Sequence, residues 1–147
     1  MEVLDPEHSG INLFDNNWKI YSRNSGMTGH KISASADVHD SMITDGCRIK
    51  GTVKHSVLFA GVKVAEGAVV EDAVVMGGTT IERGAVVRHC IIAENVTIKE
   101  NAVVGAMPEG DEHGVATVGS GITIGEGAVI GPKAMVRNNV EGGEEQW

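Results

Sequence analysis

The sequence predicts an all-β fold, a single-stranded solenoid of parallel strands with about six coils and a triangular cross-section. Three observations predict it. Branched aliphatic residues recur with a period of seventeen, three times in each period. Glycines and β-branched residues oppose a helical pattern of period 3.6. Aromatic residues make up only 3% of the 147 residues, which suits a narrow interior that has no room for rings.

Three columns of aliphatic side chains result when successive periods are aligned. The first column contains Ile32, Ile49, Val64, Ile81, Ile98 and Ile124. The second contains Val38, Val53, Val70, Val87, Val104 and Ile130. The third contains Ile43, Leu58, Val75, Ile92, Val118 and Val136. Short β-branched strands separated by turn residues are typical of a triangular solenoid, in which every coil places one side chain from each column in the interior.

Two departures from the period define the domain organisation. One coil lacks two residues between Ile49 and Val53, and an insertion of nine residues lies within Gly105–Thr117. We expect a linker over 1–30, the β-helix over 31–136 with an inserted loop over 105–117, and a polar tail over 137–147 that frays because it lacks the repeat. The inserted loop holds His113, and a lone histidine in an acidic loop is most often simply exposed.

Charge excludes several classes of partner. Asp and Glu outnumber Lys and Arg by 20 to 12, so a net charge of −8 disfavours nucleic acid and anionic membranes as main partners. The sequence has no apolar stretch of about eighteen residues and no secretory signal, which predicts a cytoplasmic location. Cys47 and Cys90 fall roughly 12 Å apart along the predicted solenoid, too far for a disulfide bond, so we expect two reduced thiols.

Several strings resemble a known family. The aliphatic-Gly-x-x-small repeats resemble the hexapeptide-repeat, left-handed β-helix superfamily, and the left hand comes from that resemblance. The segment Asn12–Tyr21 resembles the linker of bacterial ADP-glucose pyrophosphorylase (glucose-1-phosphate adenylyltransferase). Asp-Gly-Cys at 45–47 and Ser-Val-Leu-Phe at 56–59 resemble the first coils of its C-terminal β-helix domain.

The resemblance implies a regulatory and oligomerisation domain. The whole enzyme makes ADP-glucose and pyrophosphate from ATP and glucose 1-phosphate for glycogen synthesis, with a nucleotidyltransferase domain whose motifs this sequence lacks. The expected partners are that catalytic domain, sister subunits and a phosphorylated small-molecule effector. We expect no catalytic residues, cofactor or metal in this chain itself. Two alternatives stay open, namely a hexapeptide acyltransferase that uses acyl-CoA and a non-enzymatic β-helix spacer. Similarity to the acyltransferases would imply a histidine that deprotonates the acceptor, and His113 is the best-placed candidate for it.

Candidate binding residues lie at outward positions, which stack on their counterparts one coil away. Lys31, Arg48 and Lys63 precede the first three members of the first column. Three like charges about 4.8 Å apart repel one another, which predicts an anionic effector or an acidic surface over them, unless the side chains simply spread apart. The linker aromatics Phe14, Trp18 and Tyr21 are the interface candidates, expected to pack against the open first coils or the catalytic domain.

A second outward column alternates between aspartate and histidine. It contains Asp40, His55, Asp72 and His89. Both side chains can bind a metal, but a solvated ladder that keeps like charges apart is the favoured interpretation.

Overall fold

The computed structural model describes residues 10, 12–13, 15–18, 25–109 and 114–147. Phe14, Tyr21 and His113 lie outside these residues. All regular elements in the described ranges are short parallel strands, nineteen in number, arranged in three sheets. None of the described segments is a helix that could cross a membrane.

Each sheet takes one strand from every coil, because the chain turns a corner after two or three residues. Sheet A stacks β1 (Lys31–Ile32), β4 (Arg48–Ile49), β7 (Lys63–Val64), β10 (Thr80–Ile81), β13 (Thr97–Ile98) and β16 (Thr123–Ile124). Sheet B stacks β2 (Asp37–His39), β5 (Thr52–Lys54), β8 (Val69–Glu71), β11 (Val86–Arg88), β14 (Val103–Val104), β17 (Val129–Ile130) and β19 (Glu145–Gln146). Sheet C stacks β3 (Met42–Ile43), β6 (Val57–Leu58), β9 (Val74–Val75), β12 (Cys90–Ile92), β15 (Ala116–Val118) and β18 (Met135–Val136).

The strand register confirms the predicted β-solenoid and all three aliphatic columns. In sheet B, Val53 pairs with Val70, Val70 with Val87, and Val87 with Val104. Sheets A and C pair the members of the other two columns in the same way. Seventeen residues therefore make one full coil, because each residue stacks on its repeat.

The interior is a continuous apolar column with a few satisfied hydroxyl groups. From the second coil onward the column residues are buried, and small residues such as Ala68 and Ala85 fill the corners. The buried hydroxyl of Ser56 donates to the Lys54 carbonyl oxygen at 2.7 Å and accepts from the Ala73 amide at 3.1 Å. Because this hydroxyl is fully paired, it costs the core little.

The C-terminal segment differs from the prediction of a frayed tail. Val140 bridges Ile124, and β19 pairs with β17, so the solenoid continues into a seventh turn. Val140 is only 2% exposed. Six coils alone would leave the last strands with an unpaired edge and the end of the core exposed. The C-terminal segment pairs with that edge, and the side chain of Val140 covers the end of the core.

The inserted loop lies between β14 in sheet B and β15 in sheet C. The loop ends two residues earlier than the predicted end at Thr117. Ala116 and Thr117 already belong to β15 and pair with Cys90 and Ile91. The remaining described loop residues, 105–109 and 114–115, form no strand.

The N-terminal end of the solenoid is open within the described residues. Ile32 is 44% exposed, and Val38 and Ile43 are only partly buried, whereas their counterparts in the next coil are fully buried. This end therefore presents the first layer of the core to its surroundings.

Candidate anion-binding site

The three cations singled out from the sequence lie together on the outer face of sheet A. Lys31 pairs with Arg48 and Arg48 with Lys63 in the registers of β1, β4 and β7. Each precedes an inward-facing aliphatic residue, and alternation along a strand therefore turns each cation outward. The sheet holds the three backbones one strand spacing apart, about 4.8 Å.

A fourth cation, Lys50, extends this group. It follows Arg48 by two residues, so it lies on the same outer face, and it lines the same depression as Arg48 and Lys63. Alternation along the strand could have identified it from the sequence. We call Lys31, Arg48, Lys50 and Lys63 the basic cluster.

None of the four side chains of the basic cluster forms an ion pair with any residue that the structure describes. Other cations on the solenoid do form such pairs. Lys99 Nζ lies 3.2 Å from Glu82 Oε1, and Arg88 Nε lies 3.2 Å from Glu71 Oε2. Within the described residues, the basic cluster is thus a local concentration of positive charge without ion-pair partners, on a chain of net charge −8.

A shallow depression of about 390 Å³ lies beside the cluster. Arg48, Lys50, Lys63 and Thr80 are among the residues that line it, whereas Lys31 does not line it. Glu82 and Glu100 line it as well. Guanidinium, ammonium and hydroxyl donors recognise phosphate oxygens, so the end near Arg48 and Lys63 is suited to a phosphorylated small molecule.

The alternating aspartate and histidine column has a conformational cause that the sequence analysis missed. Asp40, His55, Asp72 and His89 all have positive φ, between 42° and 49°, at the corner between sheets B and C. Aspartate and histidine tolerate this left-handed conformation better than most residues. The column therefore reflects a repeated turn, and neither charge spacing nor metal binding is needed to explain it.

Side-chain contacts in this column are pairwise. His55 Nδ1 forms a hydrogen bond with Asp72 Oδ1. His89 Nε2 is buried and has no hydrogen-bond partner among the residues that the structure describes. Among the described residues, no three His, Cys, Asp or Glu side chains are placed to hold a metal ion.

Of the three linker aromatics, the structure describes only Trp18. Trp18 is 80% exposed, so it does not pack on the solenoid, and the other two interface candidates lie outside the described residues. Met27, which is half exposed, lies against the corner between sheets C and A instead. A Cβ atom built at Gly46 would lie 2.6 Å from Met27 Sδ, and one at Gly61 would lie 3.2 Å from Met27 Cε, so the methionine packs on these two glycines.

Both cysteines are free and buried. Burial raises the pKa of the Cys90 thiol to about 12. Burial also raises the pKa of Cys47, although backbone hydrogen bonds from Val62 and Gly61 oppose that shift.

We expect neither thiol to react rapidly with a disulfide reagent in the folded chain at pH 8. With a pKa of about 12, only about one Cys90 thiol in ten thousand is ionised at that pH, and the thiolate is the reactive form. A colorimetric thiol titration should find two reactive groups only after denaturant is added. Rapid reaction of one thiol in the folded chain would contradict this burial.

Comparison with known proteins identifies the repeat family. Residues 26–125, more than half of the chain, match the family model described as GlmU-like, C-terminal hexapeptide. The glucose-1-phosphate adenylyltransferase of Geobacillus stearothermophilus is 46% identical over 71 residues, which are 48% of this chain and 18% of that enzyme. The Bacillus mycoides enzyme is 49% identical over 73 residues, 50% of this chain and 19% of that enzyme. These matches confirm the resemblance found in the sequence.

Solved structures show the same fold at low identity. The acetyltransferase domain of PglB from Neisseria gonorrhoeae gives a TM-score of 0.56 at 20% identity, over 81% of this chain and 54% of that chain. A mutant of perosamine N-acetyltransferase from Caulobacter crescentus gives 0.53 at 19% identity, over 78% of this chain and 51% of that chain. At such identities the likeness is one of fold alone. Sequence match, repeat and architecture agree, and the chain belongs to the GlmU-like C-terminal hexapeptide family.

Proposed function

We propose that this chain acts as the regulatory and oligomerisation domain of a glucose-1-phosphate adenylyltransferase, the enzyme that converts ATP and glucose 1-phosphate to ADP-glucose and pyrophosphate in glycogen biosynthesis. The observation that carries the proposal is the identity of 46–49% to such enzymes over about half of the chain. The match spans only 18–19% of the length of those enzymes. In this proposal a nucleotidyltransferase domain performs the chemistry, and the solenoid performs none.

The basic cluster is the proposed effector site. Its cations form no ion pair with a described residue, and they lie on the first three coils, close to the open N-terminal end. A phosphorylated small molecule bound there would neutralise their mutual repulsion, which favours binding. The partly exposed first layer at Ile32 is apolar, so in this proposal it contacts the nucleotidyltransferase domain. An effector beside that contact would bias how the two domains sit together, and that bias is the proposed route of control.

A chimeric enzyme tests this function. The 147-residue chain would replace the C-terminal region of the Geobacillus stearothermophilus enzyme, and ADP-glucose synthesis would be measured while phosphorylated sugars are added. We expect an active oligomer whose rate responds to a phosphorylated sugar. Arg48→Glu should raise the concentration needed for half of the response roughly tenfold, because reversing one contacting charge is worth on the order of 1.4 kcal/mol.

Lys54→Glu is the matched control for this experiment. It makes the same charge change in the same coil but on sheet B, where Lys54 Nζ lies 3.8 Å from Asp37 Oδ2. We expect the control to keep the response. If Arg48→Glu, Lys54→Glu and the parent chimera respond equally to the phosphorylated sugar, the basic cluster is not the effector site. A chimera without any activity or assembly would count against the regulatory domain as a whole.

A further inference from the structure

A pocket lies at the C-terminal end of the solenoid, where three segments outside the regular coils meet. The inserted loop contributes residues 106–109 and Gly114, and the corner between β17 and β18 contributes Pro132 and Lys133. Trp147, which follows β19, completes the lining. The pocket has a volume of about 300 Å³. It belongs to the last three coils, whereas the basic cluster belongs to the first three, so the two sites are separate.

The backbone holds Trp147 at this pocket. The preceding residue, Gln146, pairs with Ile130, and its carbonyl oxygen accepts a hydrogen bond from the Gly131 amide at 2.6 Å. The benzene ring of the indole lies on Gly131. A Cβ atom built at Gly131 would lie 3.0 Å from Cδ2 and Cζ3 of Trp147 and closer still to Cε3. Glycine therefore leaves room for the ring at this corner, and yet Trp147 remains 77% exposed.

The rest of the described lining is largely apolar and has no net charge. Met107, Pro108 and Pro132 supply apolar surface beside the indole. Glu109 and Lys133 supply one charge of each sign. Apolar walls with a small number of hydrogen-bonding side chains are typical of small-molecule sites, and the volume is at the small end of their range.

Charge and ring chemistry together select the ligand. The face of an indole carries negative partial charge, so it attracts the polarised C–H groups on the apolar face of a sugar ring. A nucleobase would also stack on an indole, but a nucleotide brings phosphate charges as well. A pocket without net charge, on a chain of net charge −8, offers nothing to compensate them. A neutral sugar therefore fits this pocket better than a nucleotide or a sugar phosphate.

We propose that this pocket binds glucose units of a glucan chain, with one sugar ring stacked on the indole of Trp147. The carboxylate of Glu109 accepts hydrogen bonds from the sugar hydroxyl groups. Stacking and neutrality point to a sugar, and the choice of glucose rests on the function proposed above. In an enzyme that supplies ADP-glucose for glycogen, such a site would hold the enzyme beside the polymer that consumes its product. Several weak sites in one oligomer would then bind the branched polymer with higher avidity.

Titration of the 147-residue chain with maltotetraose tests the proposal, because Trp18 and Trp147 are its only tryptophans. The Trp18→Ala variant reports on Trp147 alone, and we expect its fluorescence to change with saturation at a midpoint of about 1 mM, since one stacked ring binds weakly. Saturation-transfer NMR of the sugar measures binding independently of the tryptophans. By this measurement Trp147→Ala should weaken binding at least tenfold.

Trp18→Ala is the matched control, because it removes a tryptophan that is equally exposed, at 80%, but lies in the linker. It should leave the sugar affinity unchanged. Gly131→Ala keeps the indole on the chain but fills the space under it, so we expect binding to weaken threefold or more. Each variant is first shown to keep the β-sheet spectrum and the cooperative unfolding of the parent.

The absence of saturable binding up to about 20 mM maltotetraose would overturn the proposal, and so would equal weakening by Trp147→Ala and Trp18→Ala. An unchanged affinity in Gly131→Ala would show that the indole does not act from this pocket. ATP binding that Trp147→Ala abolishes would assign the pocket to a nucleotide and also overturn it. Regulation of the chimera by phosphorylated sugars is measured separately, so failure of the glucan site and failure of the proposed function give different results.

Discussion

Replacing Gly51 with alanine is expected to lower the free energy of unfolding by about 3 kcal/mol, because the corner that it occupies has no space for a Cβ atom. Such an atom would lie 2.5 Å from the Ala65 carbonyl oxygen and closer still to that of Ala68. Both are backbone atoms of the next coil, so they can move only if the hydrogen bonds between neighbouring coils are disturbed. The measurement is urea unfolding followed by far-ultraviolet circular dichroism.

The shortened coil explains why this corner is tight. Two residues, Lys50 and Gly51, join β4 to β5, whereas four residues join β7 to β8 in the next coil. The backbone of the two-residue corner at Gly51 therefore lies directly against the four-residue turn over 65–68 in the next coil. Gly51 has no positive φ, so space rather than conformation demands glycine here.

Gly121→Ala is the matched control for this prediction. Gly121 also lies at a corner, but it has a φ of +71°, and no atom of a described residue lies within 4 Å of a Cβ atom built there. We expect its replacement to cost only about 1 kcal/mol, the usual cost of a left-handed alanine. If the two variants unfold at the same urea concentration, the close contact at Gly51 does not make alanine more destabilising there than at an open corner.

The fold could be predicted from the sequence because the repeat is its own evidence. A residue such as Val70 has one neighbour seventeen positions before and another seventeen positions after, and the strand register places all three on one another. Three members of the basic cluster follow from the same arithmetic, since Lys31, Arg48 and Lys63 occupy one register position. Periodicity therefore predicts the columns, the sheets and three of the four cations of the candidate site.

Features that depend on backbone conformation or on the ends of the solenoid could not be predicted in this way. The charges of His55 and Asp72 do not reveal that the members of their column share a positive φ at each corner. The tail lacks the repeat, although one buried valine, Val140, is enough to continue the core.

Replacing Val140 with aspartate is expected to detach the seventh turn. Val140 is 2% exposed and bridges Ile124, so a carboxylate at this position would be buried without a partner, at a cost of about 3 kcal/mol or more at neutral pH. Hydrogen exchange followed by NMR measures the result directly. The amides of Gly125, Val129 and Gly131 donate to carbonyl oxygens of the tail, and we expect them to lose protection.

The pH dependence of this variant has a definite sign. Burial raises the pKa of a carboxyl group above its unfolded value near 4, so the folded variant binds more protons than the unfolded one between those two pKa values. Its free energy of unfolding then falls as pH rises through that interval. We therefore expect the loss of stability and of protection to be largest at pH 7 and smaller near pH 4.

Asn138→Asp serves as the control, because it introduces the same charge at an exposed position two residues earlier. It should change neither the exchange rates nor their pH dependence. A truly frayed tail would give a different pattern, with the amides of Gly125, Val129 and Gly131 already unprotected in the parent chain and Val140→Asp without effect. A closed seventh turn requires that these amides are protected from exchange in the parent chain and that only Val140→Asp removes the protection. The reason is that the last layer of the core depends on one apolar side chain to exclude water.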